Sequence, residues 1–154
     1  MSTSPELYGP KPADYAGDVE PAETWRILNE NQEAVLVDVR TQAEWGFVGI
    51  PDLNTIGKKV VLQEWQSFPT MERQVSFEAD VVQHLKRAEV EKSSPVFFLC
   101  RSGVRSRSAA IALSAAGYEN CYNVKDGFEG PLDGAGHRGA VAGWKASGLP
   151  WQQQ

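Results

Sequence analysis

Residues 95–117 read PVFFLCRSGVRSRSAAIALSAAG, and the order of residue types along them decides the fold. Val96-Phe97-Phe98-Leu99 is an apolar run too short for a helix and suited to a strand buried on both faces. The run stops at Cys100. A glycine, serines and three arginines follow, then small helix-compatible residues closed by Gly117. A buried strand that turns directly into a helix is the first half of a β–α–β crossover, and such crossovers build parallel sheets.

The flanking sequence repeats the pattern. EPAETWRILNE (20–30) has Pro21 where a helix can start and sets Trp25 and Leu28 on one face. AVLVDV (34–39) is a second short apolar run, and it ends in Asp38-Val39-Arg40. Thr41 then caps a helix in TQAEWGF, with Glu44 three residues on. GIPDLNTIGKKVVLQEW (49–65) reads as loop, strand, loop. SFEADVVQHLKRAEV (76–90) spaces Phe77, Val81 or Val82, and Leu85 helically, with Ser76 as cap. CYNVKDG (121–127) is a further short strand before a glycine-rich loop, and AVAGWKASGLPW (140–151) reads as a short closing helix. Short strands alternating with helices imply an α/β fold, a mostly parallel sheet with helices on both faces. Ligand sites in such sheets lie at the carboxyl ends of strands, where Cys100 stands.

Composition narrows the function classes. The chain has 154 residues, 42% hydrophobic and 23% charged, enough for one domain with a real core. Residues 19–151 read as that folded unit and residues 1–18 as a flexible leader. The leader has neither the basic start nor the apolar stretch of a secretory signal, and no apolar run reaches the ~20 residues that cross a bilayer. A net charge of −5 argues against nucleic acid and anionic membranes as main partners. Two cysteines, Cys100 and Cys121, are too few for a disulfide framework and point to the cytoplasm.

An arginine cluster in an acidic protein therefore carries information. A loop wrapping back over Cys100 into a helix N-terminus converges backbone N–H groups on one point, an anion cradle strengthened by the helix dipole. Gly103 supplies a backbone conformation that side chains resist. Thiols at helix N-termini near cations are acidified, and the thiolate is the nucleophile, so no histidine base is required. Arg101 and Arg105 suit bidentate contact with an incoming oxyanion. The plainer alternative is a structural cysteine ending a strand, with solvated arginines beyond it. The glycine and flanking arginines favour the reactive site. Arg107, within the helix, reads as solvated.

CRSGVRS (100–106) resembles the active-site loop of the rhodanese family of sulfurtransferases. DVRTQAEW (38–45) resembles that family's Asp-x-Arg segment, NVKDGFEG (123–130) the segment after its last core strand, and GWKASGLPW (143–151) its C-terminal ending. The resemblance implies a rhodanese-like fold around a five-stranded sheet and sulfur transfer through a cysteine persulfide. Cys100 would attack the outer sulfur of a thiosulfate-like or persulfide donor, and a thiophilic acceptor such as cyanide or a protein thiol would remove it. Arg101, Ser102, Gly103, Val104 and Arg105 would form the cradle, with Asp38, Arg40 and Ser106 in support. No cofactor or metal is called for, since two distant histidines give no ligand spacing. Two features depart from the family pattern: GFVGIPDLN lacks the family's usual histidine, and PLDGAGHRGAVA is longer than in a minimal member.

Two other classes are weighed against this reading. Related cysteine phosphatases and arsenate reductases use a C-x5-R loop, which requires arginine at 106, where this chain has Ser106. A non-catalytic rhodanese-like binding module usually lacks the cysteine. Outside the loop, Cys121 reads as core packing in preference to a redox role, and His84 as exposed. His137 lies in a polar loop. Trp45, Trp65 and Trp144 read as packing residues, with Trp65 a candidate pocket wall.

Overall fold

The computed structural model describes residues 14–67 and 70–153. The apolar runs become strands of one sheet: β1 (Gly17–Val19), β2 (Val35–Asp38), β4 (Val61–Leu62), β7 (Val96–Leu99) and β8 (Cys121–Val124). Their order is β1-β8-β7-β2-β4, and every pairing is parallel, so the sheet is parallel throughout, not only mostly so. Asp38 lies beside Leu99, and Val39 donates its N–H to the Leu99 carbonyl at 2.8 Å. That register brings the Asp38–Arg40 turn alongside Cys100.

Alternation along the strands sorts the core into two layers. Val37, Val96, Phe98 and Cys100 face one layer, with Phe77, Val81 and Leu85 of α3 (Phe77–Arg87) and Ala109, Ala110 and Leu113 of α4 (Val104–Ala115). Leu36, Phe97, Leu99 and Tyr122 face the other, with Ile27 and Leu28 of α1 (Pro21–Glu30), Phe128 and Trp144. Helices therefore cover both faces, as the sequence predicts. Ala109 and Ala110 carry α4 close to the sheet, because two methyl side chains leave little between helix and strand. Its N-terminus consequently starts at the cysteine loop.

Helix α2 (Gln42–Val48) opens on Thr41 with a complete capping box: Glu44 N–H donates to Thr41 Oγ1, and the Glu44 carboxylate accepts from Thr41 N–H. Ser76 does stand at the N-cap of α3, but its hydroxyl donates to the Asp80 carboxylate instead of capping the backbone.

Two boundaries differ from the sequence reading. Gly17 and Asp18, assigned to the leader, belong to β1 and pair with Tyr122 and Asn123, while Tyr15 and Ala16 are buried; residues 1–13 of that leader lie outside the described residues. The predicted closing helix is instead a set of turns leading to β9 (Trp151–Gln152), which pairs antiparallel with β3 (Ile50–Pro51), while β5 (Gln66–Ser67) and β6 (Glu72–Arg73) form a second antiparallel pair. Gly143 and Gly148 stand at φ 101° and 75°, a handedness that interrupts a helix.

Candidate active site

Cys100 leaves β7 with its side chain turned toward α4 and only 1% exposed. Two groups reach its Sγ. The Gly103 N–H donates at 3.1 Å, and the Ser106 hydroxyl oxygen lies at 3.2 Å. Gly103 is the N-cap of α4 at φ 111°, so the turn that aims this amide at sulfur needs a residue without Cβ. The first-turn amides of α4 have no partner within the helix and add their partial positive charge at the same end.

Ser106 connects the thiol to a polar chain through the sheet. Its oxygen is 2.5 Å from Asn123 Oδ1, and Asn123 Nδ2 donates to Asp18 Oδ1 at 3.0 Å. A hydroxyl has one proton. Directed at Asn123, it leaves a serine lone pair to accept from a Cys100 thiol; directed at sulfur, it stabilises a thiolate. Asn123 is a functional candidate that sequence reasoning passed over. A polar residue inside the buried strand CYNV was the available signal, since buried amides require partners.

The segment after β8 clamps the loop from the other side. Phe128 N–H donates to the Cys100 carbonyl at 2.7 Å, and the Glu129 and Gly130 N–H groups donate to the Arg101 carbonyl at 3.0 and 3.1 Å. A Cβ on Gly127 would collide with the Cys100 carbonyl oxygen, so glycine is what permits this approach. Arg40 ties the clamp to β2. Its Nη2 donates to Asp38 Oδ2 at 2.6 Å and to the Gly49 carbonyl at 2.7 Å, and its guanidinium lies 4.2 Å above the Phe128 ring. Both members of the pair are fully buried. Asp38 and Arg40 thus reach the loop at second hand, through Phe128.

Beside the loop opens a cleft of about 540 Å³. Arg101, Arg105, Glu44, Phe47, Met71 and Arg138 are among the residues lining it. Arg101 is exposed and forms no ion pair among the described residues. Arg105 differs from expectation. It is not free for an oxyanion: its Nη1 and Nη2 donate to the two oxygens of Glu44 at 2.7 and 3.0 Å. Burial alone would raise the Glu44 pKa, but hydrogen bonds from Arg105 and Thr41 outweigh it and hold the carboxyl at about 2. Burial likewise works against a charged Arg105, and the Glu44 carboxylate overrides it and raises the pKa, with Cys100 and Asp38 adding to the effect. Ser102 is half-buried, and the Val104 side chain points outward, 74% exposed.

The remaining sequence candidates separate clearly. The 131–141 loop brings Arg138 to the cleft, whereas His137 is exposed in its own turn. Trp65 is not a cleft wall; it packs edge-on against Phe77, with centroids 4.9 Å apart. Cys121 is buried in the core and forms no disulfide. Trp144 is fully buried and Trp45 nearly so, whereas His84 is exposed.

A five-stranded parallel sheet covered by helices on both faces is the fold of rhodanese-like domains. The rhodanese-like domain protein of Staphylococcus aureus shares the fold at 20% identity and a TM-score of 0.52, covering 89% of this chain and 99% of that one. More particularly, the family model described as the STR4 middle domain matches residues 17–154, and the chain belongs to that family. Rv0390 from M. tuberculosis, solved by crystallography, is 48% identical with a TM-score of 0.78, covering 91% of this chain and 99% of that chain. Uncharacterized protein RP600 of Rickettsia prowazekii is 41% identical over 126 residues, 82% of this chain and 87% of its own length. Thiosulfate sulfurtransferase GlpE of Actinobacillus pleuropneumoniae serotype 5b is 26% identical over 133 residues, 86% of this chain and 90% of its own.

Proposed function

We propose that this protein is a sulfurtransferase that carries a sulfane sulfur on Cys100, from a thiosulfate-like or persulfide donor to a thiophilic acceptor. The observation that supports it most is the setting of Sγ, with a helix-capping amide at 3.1 Å and a serine oxygen at 3.2 Å. Amide and helix end favour negative charge on sulfur, and Ser106 can follow a change of protonation by turning its hydroxyl. The likeness to GlpE is in keeping with this chemistry.

In the first half-reaction the Cys100 thiolate attacks the donor's outer sulfur. A new S–S bond forms, the donor's S–S bond breaks, and its electron pair departs with sulfite or a thiolate. In the second, the acceptor attacks the sulfur bound to Cys100, and the cysteine thiolate leaves. Each step exchanges one sulfur–sulfur bond, and no outside oxidant is needed. Arg101, exposed at the cleft, is a cation placed to meet an anionic donor or leaving group. The proposal puts the reaction in the cytoplasm, where thiols stay reduced, with a protein thiol as one candidate acceptor and neither nucleic acid nor membrane as partner.

The experiment is an intact-mass measurement before and after thiosulfate or an organic persulfide, with Cys100→Ser alongside. A gain of one sulfur atom, removed by cyanide and absent in the variant, is the expected result. No gain from either donor would leave a rhodanese-like binding module as the reading.

A further inference from the structure

We infer that Glu44 is a specificity-determining residue: its carboxylate occupies the guanidinium face of Arg105 that a dianionic sulfur donor needs, and so selects an organic persulfide, R–S–SH, as donor. The inference rests on the sulfur-transfer reading above and narrows it.

The geometry of Glu44 carries the argument. One of its oxygens accepts from Arg105 Nη1, from Thr41 N–H at 3.1 Å and from the Thr41 hydroxyl at 3.1 Å; the other accepts from Arg105 Nη2 at 3.0 Å. The carboxylate is therefore fixed from its own helix cap as well as from across the cleft. It cannot swing aside for an anion without opening the start of α2. The pair is also largely shielded, with 16% of the Arg105 side chain and 21% of the Glu44 side chain exposed, so salt screens it less than a surface pair.

Charge count around the cleft points the same way. Arg101, Arg105 and Arg138 face Glu44 and Glu129, a formal excess of one positive charge. A dianion such as thiosulfate overshoots that excess, and its leaving group, sulfite, is also doubly charged. The Cys100 thiolate already balances that excess, and an organic persulfide, entering as neutral R–S–SH, adds no further anion beside it. The Cys100 thiolate attacks the outer sulfur of R–S–SH, a Cys100 S–S bond forms as the donor's own S–S bond breaks, and the proton stays on the transferred sulfur. The products are Cys100–S–SH and R–S⁻. The negative charge that Cys100 gives up leaves on R–S⁻, and Arg101 is placed to meet it.

The rim suits a carbon-bearing donor. Phe47, three residues after Glu44 and so on the same side of α2, is 85% exposed at the cleft, and Met71 is 39% exposed there. An apolar lip adds nothing to the binding of thiosulfate. It can cover the R group of a persulfide, whether R is a small molecule or a protein side chain.

The test compares donors on Cys100 by rate of mass gain, using thiosulfate, glutathione persulfide and the persulfide of serum albumin's free thiol. Glu44→Gln is the informative variant, since glutamine still serves a capping box while removing the charge. In wild type an organic persulfide is faster than thiosulfate. In Glu44→Gln the thiosulfate-to-glutathione-persulfide rate ratio rises about tenfold, the scale of one unscreened charge contact. Glu44→Ala, which loses the cap as well, shifts the ratio to the same extent. Transfer from either the small or the protein-borne persulfide supports the donor class and identifies its carrier. A ratio that moves in Glu44→Ala but not in Glu44→Gln would make Glu44 a structural cap and overturn the inference. If wild type takes sulfur from thiosulfate and persulfide but neither variant changes the ratio, this inference alone falls. If it takes sulfur from none of the three, the sulfur-transfer reading falls with it.

Discussion

Arg40 and Arg105 each meet a carboxylate through paired hydrogen bonds, and their surroundings give the two pairs opposite characters. The Arg40–Asp38 pair, 2.6 Å apart, has no exposed surface on either side chain, and the guanidinium is stacked on Phe128 and bonded to the Gly49 carbonyl. The Arg105–Glu44 pair, 2.7 Å apart, keeps 16% and 21% of its side chains open at the cleft. The chemistry of the two contacts is the same, and desolvation separates them. A sealed pair leaves a bare charge in the core when either partner is lost, so it can only brace. A pair at a rim keeps contact with water, so its charges can be felt by a molecule that enters the cleft. The sealed pair lies one layer behind the cysteine loop and the cleft pair beside it.

Removing the sealed cation should have the largest effect on stability. Arg40→Met strands the Asp38 carboxylate, and the expected loss is about 3–5 kcal/mol, read as a fall in the denaturant midpoint. A double variant, Asp38→Asn with Arg40→Met, should recover most of that loss, because no charge then remains buried. An Arg40→Met protein within about 1 kcal/mol of wild type would show that the core is wetter than its geometry, and the contrast with Arg105 would collapse.

The same contrast explains what could be read from the chain beforehand. Strand β7, the cysteine loop and α4 were legible because strand, turn and helix are written in consecutive residues, and local periodicity reports them. Thr41 and Glu44 were legible as a helix start for the same reason. The other side of Glu44 was not: its bond to Arg105 spans 61 residues, and nothing near either residue announces it. Strand β1 is not legible because the three residues Gly17, Asp18 and Val19 carry no apolar pattern, and its identity comes from pairing with β8. The closing segment misled because a tryptophan and alanines suggest a helix, while Gly143 and Gly148 adopt left-handed backbone and Trp144 enters the core. The resemblance marks Asp38 and Arg40 as supporting residues, but nothing in the sequence announces the Phe128 contact that links Arg40 to the loop.

Acid should sharpen the comparison at its middle rung. Glu44 has its pKa lowered from 4.5 to about 2 in the folded protein, with burial opposing and the Arg105 and Thr41 hydrogen bonds prevailing. A depressed carboxyl contributes stability that is complete above its unfolded value and lost as pH falls through its folded value. The contribution of Glu44 is thus present above pH 4.5 and disappears toward pH 2. Its size is on the order of 2–3 kcal/mol. Thermal or urea melts of wild type and Glu44→Gln should differ most near neutrality and converge across that interval. A gap between the two proteins that stays constant down to pH 2 would mean that the carboxylate's charge is not what holds Arg105.

A third arginine–carboxylate pair supplies the exposed end of the series and the smallest effect. Arg73 Nη2 lies 2.7 Å from Glu78 Oε2, as short a contact as that of Arg105, but the two side chains are 40% and 38% exposed. Distance alone would rank it with the cleft pair. Solvation ranks it far lower, because water competes for both groups and the long side chains give up freedom to meet. Glu78 also stands in the first turn of α3, where a negative charge is favoured without any partner, so a single substitution would overstate the contact. A double-mutant cycle with Arg73→Gln and Glu78→Gln removes that contribution, and the coupling left should be about 0.2–1 kcal/mol, vanishing in about 1 M salt. A salt-resistant coupling above about 2 kcal/mol would show that short contact outweighs burial in this protein. The distinction between the sealed pair at Arg40 and the cleft pair at Arg105 would then lose its physical basis.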